Sequence, residues 1–324
     1  MSKPEFGPLS DALLRRQLTD AGALWGVPDD KTKNTVAKFL EKKPESRNYA
    51  VIIVHHHRFD ETKDLLQSVH EWDEPPGRVL VADNSAPHYD WSFTKELTPP
   101  VSVYSFEENL GYGAAVNRLV DDLPVEMSQF LVLTHEVRLE PDCSRLLLDT
   151  LRTPGKVAVS APMLVYKDRP DTVFSRGGTL SKRGTAKHLG MGDKVEESVR
   201  VKRAEWSVDW ADGACLMIRK DVFETLNGFD PRYFLYVEEI DFQLRARLSS
   251  ASIVVTPQAV AAQMPGRYPL FLKYRNHRFL SRKMRPYLRS WPWAIQLIRD
   301  TARWLAGRIS DSPLAALRGF FALR

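Results

Sequence analysis

The chain has 324 residues, of which 43% are hydrophobic and 27% charged, with two cysteines and a formal net charge of +5. This is the make-up of a folded domain with a sizeable core, and it excludes a disordered chain and a disulfide scaffold; no apolar run is long enough to span a bilayer. The charge is uneven: residues 267–324 hold 13 Lys+Arg against 2 Asp+Glu, or +11, and the other 33 basic and 39 acidic residues leave −6.

Residues 1–48 read as an N-terminal accessory segment, with a short helix at Leu9–Leu18 and a solvated, Lys-rich run at Lys31–Pro44. The opening MSKPEFGPLSDALLRRQLTD has no apolar h-region, so no signal peptide is read. Cys143 and Cys215 read as small core residues in a reducing compartment. The body starts at Tyr49 with YAVIIVHHH, a buried strand. A helix at Asp60–Trp72 follows, then RVLVADNS (strand and turn), VSVYSF (strand), GYGAAVNRLVDDL (a helix opened by glycines) and QFLVLTHEV (a buried strand ending in polar residues). Strands alternating with helices predict an α/β fold, a mainly parallel, doubly wound sheet with helices on both faces. Ligands bind such sheets beyond the carboxyl ends of the strands, where His55–His57, Asp83–Asn84 and His135–Glu136 fall. Ser175–Ser207 reads as a loop excursion, and Asp212–Arg247 as a turn, an apolar strand and a helix that begins with Glu238, Glu239 and Asp241.

Carboxylates gathered at a chain reversal can deprotonate a hydroxyl; acidic residues also favour a helix N-terminus through its dipole. Asp83, straight after a strand, can accept hydrogen bonds from a nucleobase or ribose, or simply shape the turn. Asn109 and Asn117 bracket Gly111 and Gly113, which would let the backbone approach a ligand and start a helix. His135 and Glu136 suit a cation or a strand cap. If the first strand continues through the triple histidine, His55 and His57 share one face and His56 takes the other.

Asp83-Asn84-Ser85, then Asn109-Leu-Gly-x-Gly-x-x-x-Asn117-Arg118, then the Gly-Ala, Gly-Phe-Asp and Glu-Glu-Ile-Asp motifs of Asp212–Arg247 resemble bacterial family 2 glycosyltransferases of the rhamnosyltransferase-like branch. The resemblance spans roughly Tyr49 to Gly266. It implies a GT-A-like fold, with a donor half at about 49–140, an acceptor half at about 141–265 and basic C-terminal helices at 266–324. It implies transfer of a sugar from a nucleoside-diphosphate sugar to an acceptor hydroxyl, with inversion, on a glycan, lipid-linked or small-molecule acceptor. Glu239, with Glu238 and Asp241, would be catalytic. His55, His57, Asp83, Asn109, Gly111, Asn117 and His135 would bind the nucleotide sugar, Asp212, Gly213 and Trp210 the acceptor, and Glu136 with His135 a divalent cation, Mn or Mg.

The sequence departs from the family pattern at three places. Thr134-His135-Glu136 stands for Asp-x-Asp, Glu239 for the usual Asp, and Gln263 at or near a metal-binding His. Those departures suggest one rival, a nucleotide-sugar-binding protein without transfer; a second is a membrane-docked assembly partner whose function lies in its basic tail. In that tail Trp291, Trp293, Ile295, Leu297, Ile298, Trp304 and Leu305 mix with Arg299, Arg303 and Arg308. Such a basic amphipathic pattern predicts peripheral contact of a cytoplasmic protein with the inner face of the cell membrane; packing on the body or a dimer contact is the alternative. No nucleic-acid-binding motif accompanies the charge, so nucleic acid is not an expected partner.

Overall fold

The computed structural model describes residues 25–44, 47–153, 155–200, 206–264, 266 and 268–322. The helix expected at Leu9–Leu18 lies outside them. The four apolar runs of the first half become β1 (Ala50–His55), β2 (Arg78–Asp83), β3 (Val101–Ser105) and β4 (Gln129–Thr134), all parallel, in the order β3-β2-β1-β4. Val51, Ile53, Val79, Val81, Leu131 and Leu133 pack into one core layer with α2 (Phe59–Ser68) and α4 (Cys143–Leu151). Ala50, Ile52, Val54, Leu80, Phe130 and Val132 pack into the other, with α3 (Tyr112–Val120) and α7 (Glu238–Leu248). A strand covered on both faces reads as a continuous apolar run rather than an alternation, which is why these four were legible.

Beyond β4 the sheet is mixed. β6 (Val157–Tyr166) follows β4 through α4 and leaves one position open between them; β11 (Cys215–Arg219) fills it, antiparallel to both. That reversal matters for the site, because the residues that lead into β11 arrive at the edge where β4 ends. The Thr134 amide donates to the Ala214 carbonyl at 3.1 Å. Next to β6 runs β12 (Ser252–Gln263), parallel to it; the short β5 (Arg138–Leu139) and β10 (Ser207–Val208) pair with β12, and β7 (Arg169–Ser175) pairs with β6.

Three expectations are corrected. Lys31–Pro44 is not simply solvated: α1 (Asp30–Leu40) buries Val36 and Leu40 in the core, and Arg219 donates to the Phe39 and Lys42 carbonyls at 2.8 Å each. Within Ser175–Ser207 lie a two-stranded hairpin, β8 (Gly178–Leu180) with β9 (Ala186–His188), and the single turn α5 (Val195–Ser198). In the basic tail, α8 (Leu270–Lys283) is largely internal, with Arg275 only 1% exposed. It is followed by α9 (Trp293–Leu305) and α10 (Pro313–Phe321), while α6 (Lys220–Thr225) closes the core behind β11. No helix among the described residues is long and apolar enough to cross a membrane.

Candidate functional site

The carboxyl ends of β1, β2 and β4, the 209–213 segment and the start of α7 meet at one end of the sheet and frame the candidate cleft. At the end of β2, Asp83 is fully buried and accepts hydrogen bonds from the Ser85 amide and the Trp91 indole, each at 2.9 Å. His88 stands 3.4 Å away and His55 Nε2 3.8 Å. His55 is itself fully buried and bonds Thr62 through Nδ1 at 2.7 Å, against the rings of Tyr89 and Trp91. Burial lowers its pKa to about 4, so it is neutral, and its Nε2 has no hydrogen-bond partner. His55 therefore supports Asp83 from beneath instead of facing the cleft. The shared face expected for His55 and His57 does not form: the strand ends at His55, and His57 turns at φ 53° into an exposed position.

The glycine-opened helix carries a second correction. Gly111 (φ 82°) and Gly113 admit protein, not a ligand. A Cβ on Gly111 would stand 2.3 Å from the Phe234 carbonyl oxygen, and one on Gly113 2.9 Å from the Phe229 Cβ. Asn117 clamps the Phe229 backbone, donating to its carbonyl at 2.7 Å and accepting from its amide at 2.9 Å, so it does not reach the nucleotide side. Asn109 accepts from the Gly111 amide at 2.9 Å and holds the turn. Asn84, absent from the expected set, ties β2 to that turn by donating to the Gly111 carbonyl at 3.2 Å.

The acidic helix start splits into different roles. Glu238 is 3% exposed with an unpartnered Oε2; burial, then the Glu239 charge, pushes its carboxyl well above the usual range. Glu239 is partly exposed and faces Gly213, where an added Cβ would stand 3.4 Å from the Glu239 Cγ. Burial, helped by the Asp212 charge, raises it to about 7. That is the value a general base needs near neutral pH. Asp241 is corrected: it is fully buried and held by Lys283 at 2.7 Å and Arg245 at 2.9 Å, with Tyr233 donating at 3.2 Å. The same Lys283 also binds Asp230 at 2.7 Å. Burial would raise Asp230, but the hydrogen bonds from Arg232 and the Lys283 charge outweigh it and hold it below its usual value.

The loop entering α7 is strained. Phe234, Tyr236 and Val237 hold φ of 68°, 69° and 77°, a region bulky side chains rarely adopt. Helix α8 holds it there. Asn276 donates to the Leu235 and Tyr236 carbonyls at 2.8 Å, and Arg275 to the Arg232 and Tyr233 carbonyls at 2.6 and 3.1 Å. Neither residue carried a sequence signal. Tyr236 and Tyr112 were missed as well: burial raises both hydroxyls, and the charges of Glu136, Glu238 and Glu239 raise them further, so both lie among those carboxylates.

In the segment that leads into β11, Asp212 accepts from Ser175 at 2.5 Å and lies 3.7 Å from His188, which meets the same Ser175 hydroxyl at 2.9 Å. Burial raises the Asp212 carboxyl. Gly213 accepts from the Tyr112 hydroxyl. Trp210 is corrected: it is 4% exposed, lies under the β8–β9 hairpin and donates to the Thr179 carbonyl at 3.2 Å. It packs against the His188 ring and supports the hairpin from beneath.

His135 and Glu136 stand together, Nε2 to Oε2 3.4 Å, both partly exposed. No group of three or more His, Cys, Asp and Glu among the described residues is arranged to hold a metal ion. The pair offers one carboxylate oxygen and one imidazole nitrogen, a mixed donor set that fits manganese better than magnesium. Gln263, where the resemblance puts a His, buries an Oε1 with no partner.

The glycosyl transferase family 2 model matches residues 50–226. The rhamnosyltransferase WbbL of Escherichia coli (strain K12) is 32% identical over 252 residues, covering 74% of this chain and 89% of its own. The N-acetylglucosaminyl-diphospho-decaprenol L-rhamnosyltransferase of Mycobacterium tuberculosis is 27% identical over 213 residues, 60% of this chain and 69% of that one. Among solved structures, the mannosyltransferase PcManGT from Pyrobaculum calidifontis in complex with GDP-Man and Mn2+ gives a TM-score of 0.52 at 14% identity, over 97% of this chain and 85% of that chain. GalNAc-T7 with UDP, GalNAc and Mn2+ gives 0.54 at 11% identity, over 80% of this chain but only 58% of that chain. At such identity the two structures speak for the GT-A fold alone. With the family model covering more than half of the chain and WbbL aligning along most of it, this chain belongs to glycosyl transferase family 2.

Proposed function

We propose that this glycosyltransferase moves L-rhamnose from a nucleoside-diphosphate donor to a sugar hydroxyl on a polyprenyl-diphosphate acceptor, with inversion. The observation that carries the reading is Glu239, a carboxyl raised to about 7 at the mouth of the cleft, opposite Gly213 and beside Asp212. The acceptor oxygen attacks the anomeric carbon as Glu239 takes its proton, the bond from that carbon to the diphosphate oxygen breaks, and the nucleoside diphosphate leaves from the opposite face. Tyr112 and Asp212 shape the acceptor side. Asp83, buried and bonded to the Ser85 amide and the Trp91 indole, positions the turn after β2, which with His57 and His88 would receive the nucleotide. A divalent cation on Glu136 and His135, when bound, would offset the charge of the leaving diphosphate. Rhamnose and the lipid-linked acceptor are supported by the names of the two relatives.

The reading also puts the protein at the inner face of the cell membrane. Ile295, Ile298 and Leu305 of α9 are 50%, 71% and 74% exposed and fall on one helix face, with Arg299 and Arg303 beside it. An anionic bilayer matches that combination of apolar stripe and positive charge.

The test is twofold. Thermal stabilisation by UDP, dTDP and GDP, each with and without Mn2+, should single out one base; a ligand at a hundredfold excess over its Kd stabilises by about 2.7 kcal/mol. The matching nucleoside-diphosphate rhamnose should then label an N-acetylglucosaminyl-diphospho-polyprenol. A folded protein stabilised by none of the three nucleotides would overturn the reading.

A further inference from the structure

Away from the cleft, the tip of the β8–β9 hairpin meets the end of α8 and the residues after it around a cavity of about 720 Å³. Five cationic side chains line it, Lys182, Arg278, Arg282, Arg285 and Arg289, and none of its lining residues is acidic. The Arg289 amide donates to the Lys182 carbonyl at 2.6 Å, which fastens the two walls together. Burial, and then the Arg282 charge, hold the Arg278 guanidinium below its usual value, so the cations here repel one another. Deeper in the protein the cations have acidic partners: Lys283 has Asp230 and Asp241, Arg245 has Asp241, and Lys273 has Asp300.

A second observation is independent of charge. Ser281 also lines the cavity; it is 7% exposed, and its Oγ is buried without a hydrogen-bond partner. Leaving a buried hydroxyl unpaired is unfavourable, and an acceptor oxygen of a ligand would satisfy it. Guanidinium groups match phosphate oxygens in pairs, and the aromatic rings of Trp293 and Phe320 add an apolar wall.

We propose that this cavity binds a phosphate or diphosphate group, with Ser281 donating to it and Lys182, Arg285 and Arg289 neutralising it. The hairpin links the cavity to the acceptor side. Its turn closes where the Ser181 amide meets the Thr185 carbonyl at 3.0 Å, and three residues on stands His188, beside Asp212. That is about 10 Å of strand, the length scale of a sugar joined to a diphosphate. Assigning the bound group to the diphosphate of a lipid-linked acceptor rests on the proposed function; the affinity of the cavity for the anion does not.

The experiment measures binding of farnesyl diphosphate to the full chain by calorimetry, in the wild type, in Arg285→Ala/Arg289→Ala and in Ser281→Ala. Arg285 and Arg289 are exposed, so the double variant should fold. Saturable binding that weakens tenfold or more in the double variant and severalfold in Ser281→Ala, with stabilisation by the nucleotide unchanged in both, is expected. Inorganic pyrophosphate and phosphatidylglycerol vesicles are run as parallel arms. The same loss with either of these in place of farnesyl diphosphate supports the site and names a free anion or a lipid headgroup as the source. No binding in any arm, equal binding by wild type and double variant, or complete displacement by the nucleoside diphosphate overturns the proposal. Anion binding that persists in a protein no nucleotide stabilises would sink the transferase reading and leave the cavity assigned.

Discussion

Glu239 and Asp241 lie two residues apart on one helix turn, yet they do opposite things, and the difference is the partner. Asp241 faces Lys283 and Arg245 and is neutralised inside the protein, whereas Glu239 faces the cleft with burial and Asp212 against it. Replacing Glu239 by Gln should lower transfer by about 10²–10⁴-fold, the usual contribution of a general base, while stabilisation by the nucleotide persists. In the wild type the base form exists above about 7, so kcat/KM should rise with pH and level off above that value; a pH–rate profile checks it. The sign for stability is opposite. A carboxyl raised from 4.5 to about 7 by folding contributes stability that is present at low pH and lost as pH climbs through that window. Glu239→Gln should therefore show a flatter dependence of Tm on pH between those values, and an unchanged slope would place the raised carboxyl elsewhere.

Helix α8 belongs to the tail that the sequence marks only as basic and amphipathic, and it braces the loop that enters α7. Its Asn276 and Arg275 satisfy the carbonyls of a segment whose three positive-φ, non-glycine residues would otherwise relax. Asn276→Ala should cost about 1–3 kcal/mol in folding, the penalty of stranding buried carbonyls. If Asn276 positions Glu239, kcat should fall more than KM for the donor rises, and the midpoint of the pH–rate profile should move. A loss of Tm with kcat and midpoint intact would reduce Asn276 to a structural role. The sequence of α8 could not announce this, because its partners lie 40 or more positions away in a loop with no periodicity. The same holds for the glycines of α3. The pattern of glycines at a helix start was legible, but whether they admit a phosphate or another loop is decided by what folds against them, here Phe229 and Phe234.

At the level of the whole molecule, the basic charge of the tail divides. Arg275 and Lys283 point inward to hold the acidic segment, while the surface around α9 keeps exposed apolar and basic side chains together. Ile298→Glu with Leu305→Glu should lower binding to phosphatidylglycerol vesicles about tenfold and leave transfer to a soluble acceptor unchanged; flotation with and without the pair of changes measures it. If vesicle binding persists, α9 is not the contact. What the sequence determined by itself was whatever depends on neighbours in the chain. The four apolar runs had to become doubly covered strands, their ends had to carry Asp83 and His135–Glu136, and Glu238–Glu239 had to fall at the start of a helix. Only the tertiary structure decided which of those polar residues face the cleft. Asn117 meets Phe229 across 112 positions, Trp210 lies beneath a hairpin, and Asp241 is claimed by a lysine 42 residues on. A side chain's charge and size are fixed by its identity, but its pKa, its exposure and its partner follow from elements brought together only when the sheet closes, and those set its chemistry.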